Sequence, residues 1–282
     1  ETYMQQEKLN KEKRQLVKVA FMYDFDLTLS PRNMQEFSFQ DLIGTTKEEW
    51  WDDVNSFAKK HNMDGALAMM YKLITVTKEK NITLNRDDIV GLGKDIEFFD
   101  GVETFFDRMT AYAKERGMEL KHYIISSGLK EIIEGTKIAH NFERIFASQF
   151  AYDENGIPLW PSQAVNYTTK TQYIYRVRKN AMDDLWNPRS VNEYIECKDG
   201  LVPYSNFVYF GDGETDIPCM RTVSKKGGTS ICVYAPNSEK YHECRQLYLD
   251  HRSDYLAPAD YTEGSELDKI CKMLLDKIAS YI

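Results

Sequence analysis

The sequence has no apolar run long enough to cross a membrane, no Cys-x-x-Cys or Cys/His spacing, no long run of lysine or arginine, and no internal repeat. The first absence removes a membrane span and a membrane partner from the reading. Five cysteines, Cys197, Cys219, Cys232, Cys244 and Cys271, are an odd number without zinc spacing and read as reduced, buried thiols. The stretch from Glu1 through Lys13 and Arg14 is polar and charged, without the apolar centre of a signal peptide, so a cytoplasmic protein is expected. The histidines His61, His122, His140, His242 and His251 pair with no Ser or Cys nucleophile motif, which leaves a hydrolase triad without support. A formal net charge of −8 would repel a polyphosphate backbone, so nucleic acid is not an expected partner. Small phosphorylated ligands stay open, because a metal and a few local cations reverse the field inside one cleft.

With 282 residues, 42% of them hydrophobic and 13% aromatic, the chain can bury a full core and carry a smaller unit beside it. Val17 to Tyr23 is nearly all apolar and ends abruptly in Asp24, the pattern of a strand buried on both faces of a parallel sheet. Leu120 to Ile125, Phe207 to Phe210 and Ser230 to Tyr234 read the same way, with Ile145 to Phe150 a weaker fifth. Helical patterns over Val102 to Arg116, Leu129 to Ala139 and Thr171 to Lys179 alternate with them, which predicts a doubly wound α/β sheet. Residues 31–100 read as helices alone, Lys47 to His61, Asp64 to Glu79 and Arg86 to Leu92. The expected organisation is therefore a catalytic core of residues 1–30 and 101–282, with a helical cap at 31–100. Trp50, Trp51, Met69, Met70 and Tyr71 recur in the cap at helical spacing and read as core rather than substrate pocket. Asp153-Glu154-Asn155-Gly156 marks a hairpin turn, and Met182 to Ser205 is an irregular insertion.

Ligands of such sheets bind beyond the carboxyl ends of the strands, and three of these ends are chemically loaded. They run into Asp24-Phe25-Asp26-Leu27-Thr28, Ser126-Ser127-Gly128 and Gly211-Asp212-Gly213-Glu214-Thr215-Asp216. Residues two apart on an extended strand end point to one side, so Asp24 and Asp26 can flank one phosphoryl group. One carboxylate attacks phosphorus and the other handles protons, which needs environments that separate their pKa values. Two carboxylates facing a phosphate need a cation, and Mg²⁺ suits such an all-oxygen site, with Asp212 as an added ligand and Asp216 in support. Asp216 could instead cap the following turn. Ser126 offers a hydroxyl to phosphate, the amides of Ser127 and Gly128 are expected to lead into a helix N-terminus, and Thr28 offers similar help. Arg32 is a weaker candidate for a substrate anion.

These three segments resemble motifs one, two and four of haloacid dehalogenase superfamily phosphatases, and the resemblance spans most of the chain. It implies a Rossmannoid core, Asp24 as nucleophile, Asp26 as acid and base, Ser126 on phosphate, and Mg²⁺ held by Asp24, Asp212, Asp216 and the backbone carbonyl of Asp26. The cap after motif one is similar to the phosphoserine phosphatase-like branch. The third motif of the family is a lysine, for which Lys170 is the candidate provided that the insertion at 182–205 loops out; Lys179 competes. The expected activity is hydrolysis of a small phosphorylated metabolite. A phosphotransferase sharing the intermediate and a non-catalytic phospho-ligand module are the alternatives. A dehalogenase fits less well, since Asp26 would have no proton to deliver to a halide. Neither the substrate nor the oligomeric state has a signature in the sequence.

Overall fold

A computed structural model describes residues 16–196 and 201–282; Lys13, Arg14 and Cys197 lie outside them. Seven strands form one sheet: β1 (Val17–Tyr23), β2 (Met118–Leu129), β3 (Phe142–Tyr152), β4 (Pro158–Gln163), β5 (Phe207–Gly211), β6 (Thr229–Tyr234) and β7 (Tyr255–Pro258). Their order is β4-β3-β2-β1-β5-β6-β7. Every pairing is parallel except β3 with β4, which is antiparallel across the turn expected at Asp153 to Gly156. In that turn Gly156 takes φ 74°, a left-handed conformation that favours glycine.

β1 lies at the centre because its side chains are apolar on both faces. Val19, Phe21 and Tyr23 enter one buried cluster, and Ala20 and Met22 enter the other. Two layers of helix cover those faces, which makes the sheet doubly wound. Between β1 and β2 come α1 (Ser38–Ile43), α2 (Lys47–His61), α3 (Gly65–Glu79), α4 (Arg86–Gly91) and α5 (Val102–Glu115). After β2 come α6 (Lys130–Glu134), α7 (Thr171–Lys179), α8 (Pro188–Asn192), α9 (Ile217–Lys225), α10 (Lys240–Leu249) and α11 (Glu266–Ala279). The first cluster takes Phe105, Phe106 and Met109 of α5 and Leu274 and Leu275 of α11; the second takes Tyr173, Ile174 and Val177 of α7, Met220 of α9 and Leu247 of α10.

Residues 31–100 contain helices and no strand, as expected. Their ends are set by local chemistry: Thr46 and Glu49 form a capping box at α2, Asn85 and Asp88 form one at α4, and the Asp64 carboxylate accepts from the Ala66 and Leu67 amides at α3. Trp50, Met69 and Met70 are buried in the same cluster as the β1 side chains, so the helical segment and the sheet share one core. Trp51 is half-buried against that core, whereas Tyr71 is exposed and stacks on Phe57.

Two expectations are corrected. β2 continues through Ser126 to Leu129, and the helix expected over Leu129 to Ala139 is reduced to α6 plus a 3₁₀ turn at Ala139–Asn141. The stop is Gly135, a poor helix former whose backbone lies against the Val90 carbonyl of α4 too closely to admit a side chain. The short edge strands β4 and β7 were not expected. β4 contains Pro158 and Pro161, residues suited only to a sheet edge.

Trp50 is 2% exposed and meets Phe39 edge-on at 5.0 Å. Trp50→Ala is expected to destabilise the protein by about 3–5 kcal/mol. Because the core is shared, near-UV and far-UV circular dichroism should report one coincident urea transition at lower midpoint, not early loss of the helical segment alone.

Candidate active site

The carboxyl ends of β1, β2 and β5 open into one cleft of about 500 Å³, whose walls include Asp24, Asp26, Ser126, Ser127, Gly128, Lys170 and Asp212. β1 places Asp24 there directly: its amide donates to the Phe210 carbonyl at 2.9 Å, continuing the β1–β5 pairing by one residue. The chain then folds back over itself, with the amides of Thr28, Leu29 and Ser30 all directed at the Phe25 carbonyl. That turn holds Leu27 at φ 60°, left-handed for a side chain that disfavours it, at a cost on the order of 1–2 kcal/mol. It also presents Asp26, whose Oδ1 accepts from the Met34 amide at 2.9 Å.

Lys170, the N-cap residue immediately before α7, is 1% exposed. Its Nζ lies 3.2 Å from Asp24 Oδ1 and donates to Asp216 Oδ1 at 2.9 Å. Asp216 is fully buried behind the cleft, where Tyr209 also donates to its Oδ1 and the Asp212 amide donates to its Oδ2. It makes no side-chain cap at α9, so the capping alternative is set aside. Gly211 serves close approach: a Cβ there would come within 2.5 Å of the Asp216 carboxylate. Gly213 is extended and needs no such room. Lys179 is removed from the site, since its Nζ donates to the Val191 and Glu193 carbonyls at 2.6 Å. Those bonds tie the looped-out insertion to α7.

Several expected residues sit differently from their sequence reading. Ser127 and Gly128 line the cleft at the end of β2 and lead into α6 through its N-cap Leu129, but the Gly128 amide is taken by Ser126 Oγ at 3.0 Å. That bond occupies a lone pair of Ser126 and leaves its hydroxyl hydrogen for the cleft. Thr28 does not line the cleft; its hydroxyl is buried without a partner, while its carbonyl accepts from Tyr261 at 2.7 Å. Arg32 packs over the Phe37 ring and faces Glu97 at 3.6 Å, away from the cleft walls. Leu27, Glu214 and Thr215 of the loaded segments also line the cleft, though no role was expected of them, and Asn33, Lys240 and Glu243 line it without having been anticipated. For Lys240 and Glu243 a signal existed, because they follow the carboxyl end of β6 at the same rim as β1 and β5.

Charge crowds this cleft. Burial, and then repulsion from Asp216, raises the Asp24 pKa well above the usual carboxylate value, against the pull of Lys170. Burial and the neighbouring Asp24 do the same to Asp26. Burial and Asp216 push Asp212 up to about 7. Burial works to lower the Lys170 pKa, but Asp216 and Asp24 outweigh it and carry it above the ordinary lysine value. Carboxylate oxygens of Asp24, Asp212 and Asp216 lie within 4.8 Å of one another, an all-oxygen set that could hold a hard divalent cation.

Residues 21–221 match the haloacid dehalogenase-like hydrolase family, and the chain belongs to that family. A relative at 25% identity, aligned over 90% of this chain and 96% of its own length, is an uncharacterized protein of Borreliella burgdorferi. Among solved structures, a HAD-family hydrolase of Salmonella enterica serovar Typhi matches with TM-score 0.60 and 14% identity, over 98% of this chain and 80% of that one. A phosphoserine phosphatase in its apo form matches with TM-score 0.54 and 16% identity, over 90% of this chain and 98% of that one. Both likenesses are of fold.

The raised Asp212 pKa has a signed consequence. The folded protein keeps a proton that the unfolded chain releases near 3.8, so this contribution to stability is complete below about 4 and is lost as pH rises to about 7. Without divalent cation, wild type should lose on the order of 1–3 kcal/mol relative to Asp212→Asn across that window. Paired denaturant melts at pH 4.5 and 7.5 check this; parallel pH curves for the two proteins would contradict it.

Proposed function

We propose that the chain is a Mg²⁺-dependent phosphohydrolase that cleaves a small phosphomonoester through an aspartyl phosphate on Asp24. The observation that carries the reading is the buried Lys170 ammonium held between Asp24 and Asp216 at the head of a cleft. It screens one carboxylate as a nucleophile while leaving Asp24 Oδ2 without a protein partner among the described residues. Family membership supports hydrolysis. Fold likeness to a phosphoserine phosphatase supports phosphate esters as the substrate class.

The carboxylates fit a magnesium ion: Asp24 and Asp212 would hold it from the cleft, with Asp216 behind them and the Asp26 carbonyl alongside. Such an ion would neutralise phosphate oxygens that the acidic cleft otherwise repels. Asp24 Oδ2 attacks phosphorus in line, and the bond to the leaving oxygen breaks. Asp26 delivers a proton to that oxygen. Asp26 then withdraws a proton from the water that attacks the aspartyl phosphate, releasing phosphate and restoring Asp24. Ser126 donates its free hydroxyl hydrogen to a phosphoryl oxygen, and Lys170 balances the charge on Asp24 throughout.

Residues 31–100 act as the cap over this cleft, with Asn33 reaching its wall. A phosphotransferase would differ only in replacing water by an acceptor alcohol. A non-catalytic module is disfavoured because it would keep Asp24, Asp26, Asp212 and Asp216 crowded together with no chemistry to offset the cost. Among the described residues four cysteines are free and buried, consistent with a cytoplasmic setting, and no helix is long and apolar enough to cross a membrane.

Phosphate release from a panel of small phosphomonoesters with Mg²⁺ tests the reading. EDTA and Asp24→Asn should each abolish turnover, and Asp26→Asn should lower kcat by about 10²–10⁴-fold. Turnover that survives Asp24→Asn would remove the nucleophile assignment.

A further inference from the structure

Lys240 has no part in the chemistry derived above, yet its side chain forms part of the cleft wall. The lining among the described residues contains one apolar side chain, Leu27, and no aromatic ring. Such a surface suits a short, polar leaving group and offers no ring on which a nucleobase could stack. Its charged groups are the carboxylates of Asp24, Asp26, Asp212, Glu214 and Glu243 and the ammonium groups of Lys170 and Lys240. Lys170 is fully buried and engaged by Asp24 and Asp216, so it belongs to the nucleophile.

Lys240 is placed differently. It opens α10 just beyond β6, and its Nζ lies 3.8 Å from where a Cβ of Gly213 would be, one residue past Asp212. Its ion-pair partner is Glu243, 2.6 Å away on the same helix, and both side chains are more than a third exposed. A pair of that exposure contributes about 0–1 kcal/mol, so an incoming anion can take the lysine at little cost. Apart from Lys170, which Asp24 and Asp216 already engage, every other charged side chain on this wall is a carboxylate.

Resting on the hydrolase reading, we propose that Lys240 is a specificity-determining residue that receives a negatively charged group on the leaving alcohol, and that the substrate is a short phosphomonoester carrying a second anionic group. The substituent would lie along Gly213, close to the phosphoryl group because Gly213 adjoins Asp212. Without Lys240 the same substituent would face Glu214 and Glu243.

The test compares 2-phosphoglycolate (anionic leaving group), glycerol 3-phosphate (neutral) and O-phosphoethanolamine (cationic) with Mg²⁺, with p-nitrophenyl phosphate as a general reporter of hydrolysis. Wild type should rank the anionic ester highest in kcat/KM and the cationic ester lowest. Lys240→Gln should cut kcat/KM for phosphoglycolate about tenfold or more, through KM rather than kcat, narrowing its advantage over glycerol 3-phosphate, and Lys240→Arg should restore most of it. Equal losses on all three esters, or preference for phosphoethanolamine, would overturn the proposal while leaving the hydrolase reading intact. If Lys240→Gln does not fold by circular dichroism, the wild-type ranking decides. Hydrolysis of none of the four esters would remove the hydrolase reading, and the proposal with it.

Discussion

A lysine ammonium enclosed by two carboxylates, Asp24 on one side and Asp216 on the other, is the interaction on which the site depends. Taking an ion out of water costs several kcal/mol, and three buried charges are tolerable only if each is met by opposite charge or hydrogen bonds. Asp216 satisfies that condition through Lys170, Tyr209 and the Asp212 amide. It therefore serves as a fixed post that holds the lysine and, through the backbone, sets the position of Asp212. Gly211 exists to let that post stand so near the strand. Asp24 has fewer partners, and the charge left over on Asp24 and Asp212 faces the cleft.

The sheet makes this possible by bringing together residues far apart in sequence. β1 sits between β2 and β5, so their carboxyl ends meet at one rim: Asp24 and Asp26 after β1, Ser126 near the end of β2 and Asp212 after β5, with Asp216 buried behind them. α7 delivers Lys170 from the second face of the sheet. The helical segment 31–100 contributes from the first face. Met34 ties it down twice, donating its amide to Asp26 and accepting the Leu129 amide on its sulfur at 3.1 Å. The Asp26 carboxylate and the end of β2 are thus registered to the same residue.

How much of this was legible depended on whether a residue's role is local. β1 could be read to its boundaries, Val17 and Tyr23, because burial on both faces leaves an unbroken apolar run. α2 and α7 were equally clear, with amphipathic periodicity and charged ends. β4 was not, because two prolines in six residues look like a loop until β3 is there to pair with them. Asp24 and Asp212 directly follow the last residues of β1 and β5, and Ser126 closes the apolar run of β2, so all three stood out in the sequence. Thr28 looked equivalent, but the turn at Leu27 rotates it into the interior, a consequence of one left-handed residue that no spacing rule reveals. Lys240 and Glu243 follow the carboxyl end of a strand that the sequence shows, but the placing of that strand beside β5 comes from strand order, which only tertiary structure supplies.

The central claim is that Asp24 carries the phosphoryl group during turnover. The most direct measurement is to quench the Mg²⁺-loaded protein during steady-state hydrolysis with borohydride, which reduces an acyl phosphate to the alcohol, and to sequence the peptides by mass spectrometry. Homoserine at position 24, absent without substrate, is the predicted result. Turnover with position 24 unmodified, or with reduction at Asp26 or Asp212 instead, would contradict the account.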